Sequence, residues 1–457
     1  MGQILSQPVT EKHSERDGNG RLIYGISSMQ GWRLSMEDAH SAVLDLQSSP
    51  STAKSPNSNT TPASAKSPIS FFGVFDGHGG DKVAIFTGEN IHKIIAEQET
   101  FKNGDLAQSL KDGFLSADRA ILQDPVVKND PSGCTATSAF VTDKEIICGN
   151  AGDSRTVLGI KGIAKALSFD HKPQNEGERA RICAAGGFVE AGRVNGNLAL
   201  SRAIGDFDFK RSADLAPEEQ VVTAFPEVIQ HDLTPDDEFL ILACDGIWDC
   251  MTSQSCVEYV RRGIGQGLEL ETICENLMDS CLAPSSDVLG VGCDNMTVLI
   301  VGLLQGKTKQ EWYKMIANRI NNGDGPVAPE DITEVHFSNH NEEDDEEHEE
   351  EREDEDEEDE DDRDEEGEDN SKEKDTENEK GMDGSVIRTP AKDLDDTHIS
   401  TLQHLLGSNA NVYRDNGYVV IEADNASELL ETAGLQSAEA AVKANKRDAE
   451  AAEANDN

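Results

Sequence analysis

The sequence has no CxxC pair, no basic stretch followed by an apolar one at its start, and no uninterrupted apolar run that approaches a membrane span. Nine cysteines, at 134, 148, 183, 244, 250, 256, 274, 281 and 293, are odd in number and mostly lie in apolar surroundings. They read as buried, reduced thiols rather than as a disulfide frame. Without a secretory signal or a span, an intracellular protein is expected, in the cytoplasm or the nucleus, with no stable membrane insertion. No Lys/Arg cluster marks nuclear import, so the sequence does not choose between the two. Positive charge is scarce as well: 40 basic residues face 89 acidic ones, a net charge of −49. That excludes direct binding to nucleic acid or anionic membranes, where Lys and Arg must replace counterions along phosphates. Basic proteins and metal ions are the partners such a charge favours.

The negative charge is unevenly spread. From Glu342 to Asp369, 24 of 28 residues are acidic, so that run alone carries −22. A block of like charge stays solvated and extended by self-repulsion, and this one can also recruit basic surfaces. The reading of organisation is a flexible N-terminus over 1–21, a folded domain over 22–304, a helix over 305–325 packing on or near it, and a mostly disordered acidic tail over 326–457. Residues 47–70, almost all Ser, Thr, Pro, Asn, Ala and Lys, read as a disordered insertion, because they cannot bury enough apolar area to offset their ordering entropy. Helical spacing marks Val83–Glu97, Gly104–Leu122, Cys256–Gly263, Leu268–Leu282 and Gln310–Ile320, while Glu176–Ala185 is a short helix closed by Gly186-Gly187. Periodicity alone gives a mixture of α and β, with no solenoid repeat.

Three apolar runs each meet an aspartate at one end: Phe71–Phe75 before Asp76, Phe239–Cys244 before Asp245, and Met296–Val301 after Asp294. They read as buried strands delivering carboxylates to one place. Glu37 and Asp38, after Met36, bring the acids to five. A desolvated carboxylate is costly unless something positive compensates it. No comparable set of Lys or Arg lies beside these acids, so a divalent cation is the cheapest neutraliser, and hard oxygen donors favour Mg²⁺ or Mn²⁺ over Zn²⁺.

Asp76-Gly77-His78-Gly79-Gly80 puts a carboxylate, an uncrowded glycine carbonyl and an imidazole on one tight loop. Taken alone it is equally a Gly-rich turn with a capping Asp. Six further blocks change that balance: Arg33–Asp38, Ser132–Ala136, Gly149–Arg155, Leu198–Asp206, Ala243–Asp249 and Gly292–Asn295. In this order and spacing they resemble the metal-dependent type 2C protein serine/threonine phosphatases, over about Leu22 to Leu304, and fungal signalling members with an acidic C-terminal extension most of all. The resemblance implies an α+β fold, a four-layer α-β-β-α sandwich of two antiparallel sheets flanked by helices. It implies that Asp76 bridges two metal ions, with Asp245 and Asp294 completing one and Glu37 and the Gly77 carbonyl the other, while Asp38 holds metal-bound water. Asp153, with Asp245, matches a weaker third position. Arg33 matches the residue that grips the substrate phosphate, and His78 the general acid. The implied reaction is hydrolysis of phosphoserine and phosphothreonine in proteins, protein kinases among them, by a monomer that uses a metal-bridging water and forms no covalent phosphoenzyme.

Two other classes stay open beside this one. A phosphosite-binding scaffold predicts no turnover although every ligand position is filled, and an acidic calcium buffer or histone-chaperone-like protein lacks a complete EF-hand loop. Cys134 and Cys244 are not required as nucleophiles, since burial raises a thiol's pKa. Met1-Gly2-Gln3-Ile4-Leu5-Ser6 matches an N-myristoylation pattern, and a single acyl chain would give only weak, reversible membrane association. Ser49, Ser55, Thr61 and Ser67 each precede proline, as sites of proline-directed kinases do. Asn295-Met296-Thr297 is formally a glycosylation sequon, but it lies between a candidate ligand and a strand.

Overall fold

The computed structural model describes residues 4–48, 68–285 and 290–328 and, as backbone, 386–390, 411–415 and 418–422. The chain divides into two units, Met1–Glu357 and Glu358–Asn457. In the first, one sheet has six strands in the order β1 (Ile4–Gly18), β2 (Leu22–Arg33), β16 (Met296–Leu303), β15 (Asp237–Ala243), β9 (Arg155–Ile160), β10 (Ile163–Ala166). The other has five: β14 (Glu227–Asp232), β8 (Glu145–Ala151), β7 (Ala136–Val141), β4 (Ser70–Phe75), β3 (Ala39–Val43). Every neighbouring pair in both sheets is antiparallel.

Side chains alternate across a strand, and here the alternation builds three layers of core. Leu240 and Leu242 of β15 point inward with Ile26 and Leu299 of their own sheet and with Phe72, Val74 and Ala139 of the other. Phe239, Ile241 and Ala243 point outward, under α6 (Ser253–Gly265), α7 (Leu270–Cys281) and α8 (Lys309–Asn321). On the far side, Phe71, Phe75 and Phe140 pack against α1 (Lys82–Glu97) and α3 (Leu106–Gln123), which the short α2 (Glu99–Asn103) joins. The result is the four-layer α-β-β-α sandwich. Strands buried on both faces read as continuous apolar runs, which is why β4, β15 and β16 stood out in the sequence.

Smaller elements sit around one end. A short sheet is formed by β13 (Ile204–Gly205), β6 (Gly133–Cys134) and β5 (Gly77–His78), while α5 (Asp245–Trp248) follows β15. A hairpin of β11 (Val189–Glu190) and β12 (Arg193–Val194) accompanies α4 (Glu176–Ala184) over its own small core of Ile182, Val194, Ala203, Val221 and Val222. Among the described residues, no helix is long and apolar enough to cross a membrane.

Regular structure extends beyond the folded span read from the sequence. Within residues 1–21, where a flexible N-terminus was expected, Ile4–Gly18 is an edge strand registered along β2 from Ile4↔Arg33 to Gly18↔Ile23. An edge strand over a helix keeps most side chains in water, so its polar composition disguised it. It is tied instead by Lys12 to Asp279 at 2.7 Å, Ser14 to Glu275 at 2.5 Å and Arg16 to Glu271 at 2.6 Å, all on α7. Within the tail over 326–457, expected to be mostly disordered, β17 (Val386–Pro390), β18 (Asn411–Asp415) and β19 (Tyr418–Glu422) pair antiparallel in the order β17-β19-β18. Their Val, Ile and Tyr content suits strands. Most of the 47–70 insertion, the acidic run, Gly2, and Ser49, Ser55, Thr61 and Ser67 lie outside the described residues.

Candidate metal centre and catalytic site

The acids gather where strands of both sheets end together. In register, Ala243 lies opposite Val298 and Met296 opposite Met29, so the exit of β15, the entry of β16 and the exit of β2 share one edge. Asp76 leaves β4 beside the start of β7, its carbonyl accepting from the Thr135 amide at 2.8 Å. Asn295 pins the acidic turn that follows β2. Its Oδ1 accepts from the Glu37 amide at 2.9 Å, and its Nδ2 donates to the carbonyls of Gln30 and Ser35 at 2.8 and 3.0 Å. With its side chain used in this way and only 5% of its surface exposed, Asn295 is a structural residue rather than a glycan acceptor.

Asp38, Asp76 and Asp245 form the inner set. Burial is the largest influence on each and pushes its carboxyl upward; neighbouring carboxylates push further. Asp76 feels Asp245, Asp38, Asp294 and Asp153 and stands well above the usual carboxylate range. Asp38 is raised to about 6 even though the Thr297 hydroxyl donates to its Oδ2 at 2.6 Å. Its other oxygen, Oδ1, is buried with no hydrogen-bond partner. An orphaned carboxylate oxygen among acids that repel one another is the arrangement a bound cation resolves.

Ligand atoms of Asp38, Asp76 and Cys244 all lie within 4.8 Å of one another. The Cys244 thiol, pushed well up by burial and then by these carboxylates, accepts from the Thr297 amide at 3.2 Å and faces the Asn295 carbonyl at 3.6 Å. The donor set it leaves is all oxygen, which fits Mg²⁺ or Mn²⁺. Cys134 is likewise pushed up, to about 12, by burial, so neither thiol is poised as a nucleophile.

The outer acids carry cations. Arg33 is paired with Asp294, and Lys172 with Asp153 at 2.7 Å. Glu37 accepts from the Ser35 hydroxyl at 2.8 Å and the Gly80 amide at 3.2 Å, which closes the Asp-Gly-His loop over it. Gly77 permits that closure, because a Cβ there would lie 2.2 Å from the Glu37 carbonyl. His78 sits at the edge of the same group. Its Nε2 meets Asp206 Oδ2 at 2.7 Å; burial lowers its pKa, but Asp206, then Asp153 and Glu37, outweigh burial and raise it overall.

All nine site positions read from the sequence, Arg33, Glu37, Asp38, Asp76, Gly77, His78, Asp153, Asp245 and Asp294, belong to this cluster or its rim. Sequence reasoning gave no role to Asp206, Lys172, Thr297 or Asn295. Asp206 and Asn295 fell inside quoted blocks, whereas Lys172, a lone lysine in a loop, carried no signal.

The protein phosphatase 2C family model matches residues 23–287. A protein phosphatase 2C homolog 2 of Hypocrea jecorina is 61% identical over 346 residues, 75% of this chain and 77% of its own length. Protein phosphatase 2C homolog 3 of Schizosaccharomyces pombe is 58% identical over 336 residues, 74% of this chain and 78% of its own. Among solved structures, a phosphatase from Toxoplasma gondii shares the fold with a TM-score of 0.52 at 24% identity, covering 65% of this chain and 97% of its own.

Proposed function

This chain belongs to the protein phosphatase 2C family, metal-dependent hydrolases of phosphoserine and phosphothreonine in proteins, and we propose that its two ions are held by Asp76 with Asp245 and Asp294 on one side and Glu37 and the Gly77 carbonyl on the other. Asp38 orients water there, and Asp153 with Asp245 offers a weaker third position. When bound, Mg²⁺ or Mn²⁺ neutralises phosphoryl oxygens and lowers the pKa of the attacking water. The chain's own groups do the rest. Arg33, on the rim, exchanges Asp294 for the substrate's phosphoryl oxygens, which its planar fork matches. Asp206 engages His78 at Nε2, which leaves Nδ1 to pass a proton to the departing serine or threonine alkoxide. As the family's mechanism implies, water displaces the alkoxide directly and no phosphoenzyme forms.

The observation that carries this reading is the unpartnered, buried Oδ1 of Asp38 beside Asp76 and Asp245, carboxyls that burial and mutual repulsion hold upward. Signalling phosphoproteins, protein kinases among them, are the proposed substrates, in the cytoplasm or nucleus. The nine free cysteines suit such a reducing compartment.

The test is phosphate release from a phosphothreonine peptide, with EDTA, Mg²⁺ or Mn²⁺, by wild type and Asp245→Asn. Turnover requires the metal, and the variant loses about 10²- to 10³-fold in kcat, the scale of a lost electrostatic stabiliser. Thermal unfolding gives a second readout. Metal at a hundred times its Kd stabilises wild type by about 2.7 kcal/mol. Asp245→Asn, relieved of a repelled charge, is at least as stable without metal and gains less from it. Turnover that survives EDTA, or a fully active variant, would overturn the reading.

A further inference from the structure

Among the described residues, Arg33 and Lys172 reach the acidic cluster, and they differ in what holds them. Arg33 extends from the end of β2 onto Asp294, in the region proposed to grip substrate. Lys172 comes from the loop between β10 and α4, and that loop is clasped to the turn that carries Asp153. The His171 amide donates to the Gly152 carbonyl at 3.0 Å, and the Gly152 amide donates back to His171 Nδ1 at 3.2 Å. The neighbouring carboxylate, Asp170, is taken by Arg155 through two bonds of 3.1 Å. With Asp170 so engaged, the Lys172 ammonium is directed to Asp153 Oδ2 at 2.7 Å.

We propose that Lys172 is the resident counter-ion of the third cation position: it occupies Asp153 in place of a divalent ion and sets how weakly that ion binds. The inference rests on the metal reading above and assigns a role to a residue that reading does not use. Asp153 is 6% exposed at its side chain and Lys172 34%, so the ammonium caps the carboxylate from the solvent side and can swing into water without moving the fold. Lys172 also acts on Asp245, the other acid of that position, as an opposing charge. A third divalent ion must therefore displace an ammonium from an oxygen it needs, and its affinity is reduced by the strength of that pair. With the position filled by lysine, the outer acids stay neutralised while the inner ones await their two ions.

The experiment titrates full-length protein with Mn²⁺ and reads free Mn²⁺ by electron paramagnetic resonance. It compares wild type, Lys172→Met, Lys172→Gln, Lys172→Arg, Asp153→Asn, Lys172→Met/Asp153→Asn and Asp76→Asn/Asp245→Asn, with folding confirmed by circular dichroism. Asp153→Asn retains the acidic run and the inner acids and so supplies the baseline for the third ion, while Asp76→Asn/Asp245→Asn, which keeps the acidic run but loses two inner acids, supplies the baseline for adventitious Mn²⁺. Wild type is expected to bind two ions and a weak third. Lys172→Met and Lys172→Gln tighten the third roughly tenfold, the weight of one part-buried ion pair, and leave the first two within about twofold. Lys172→Arg keeps the wild-type third affinity, and adding Asp153→Asn to Lys172→Met abolishes the gain. Two ions bound normally, with a third no tighter in either neutral variant, would overturn this inference alone. A wild type that binds no more Mn²⁺ than Asp76→Asn/Asp245→Asn would overturn the metal reading and this inference with it.

Discussion

His78 is held from behind. Asp206 accepts its Nε2 proton at 2.7 Å from a left-handed backbone conformation, φ 51°, that Asp tolerates better than most residues. Gly133 leaves room for both, since a Cβ there would sit 2.2 Å from Asp206 Oδ2 and 2.7 Å from His78 Nε2. A carboxylate at this place fixes the ring and stabilises its protonated form, so its contribution belongs to proton donation and not to substrate binding. Asp206→Asn keeps the size and the left-handed preference but removes the charge. The expected loss is about 10²-fold in kcat on a phosphothreonine peptide, with KM within about twofold. On an aryl phosphate, whose leaving group needs no proton, the loss is much smaller. Equal losses on both substrates would assign Asp206 a structural role instead. Asp76, Asp245 and Asp294 were legible because each lies at one end of an apolar run, and Glu37, Asp38 and Asp153 because they fall within blocks that resemble those of the family. The roles of Asp206, although it closes a quoted block, and of Lys172 were not, because their partners lie 128 and 19 residues away.

At the scale of elements, α4 and the chain that returns beside it depend on one carboxylate more than on apolar packing. Only Glu178 and Ile182 of α4 are buried. Glu178 receives Arg202 Nη2 at 2.6 Å, Arg181 Nη1 at 2.8 Å and the Ser201 hydroxyl at 2.6 Å. Burial raises its carboxyl, yet Arg202 and then Arg181 prevail and hold it at about 2. Glu178→Gln leaves two guanidinium groups undercompensated and is expected to cost about 3 kcal/mol at neutral pH. The pH dependence has a definite sign. Unfolded, Glu178 takes up its proton near 4.5; folded, only near 2, so its stabilisation is complete above 4.5 and fades as pH falls from there. His171 adds to the same slope. Held down to about 3 by burial and then by Arg202, it stays neutral in the fold while the unfolded chain is protonated below 6.5. Urea unfolding at pH 7, 5 and 3.5 should therefore show wild type weakening throughout, with its margin over Glu178→Gln steady between pH 7 and 5 and shrinking at 3.5. A margin that grew on acidification would refute the assignment. The helix itself was readable from its spacing and its Gly-Gly stop; the carboxylate that anchors it was not, since Arg202 is 24 residues away. For β1 the position is reversed, because a polar edge strand carries no apolar period to detect.

For the molecule as a whole, the question is where the folded body ends and the acidic extension begins. The sequence placed that limit near residue 325, where apolar spacing fades, but the structure ties down three more residues. Arg261 of α6, fully buried and paired with Glu238 at 3.0 Å, also donates to the carbonyls of Asp324 at 2.5 Å and Pro326 at 3.0 Å. Gly325 between them has φ 83°, and a Cβ there would lie 1.7 Å from the Lys161 carbonyl, so the segment threads a gap open only to glycine. Ala328 is buried, its amide donating to Glu258 at 3.3 Å. A backbone segment can thus complete a buried cation as a side chain does, and such a role leaves no trace in residue type. Chains ending after Ala328 and after Asn322 both lack the whole acidic run, so charge cannot distinguish them. The longer one should match the full-length protein in urea unfolding at pH 7. The shorter one, with two guanidinium donors stripped of their acceptors in the interior, should lose about 2–4 kcal/mol. Equal stability of the two would show that Arg261 finds water there, and the boundary would return to residue 325.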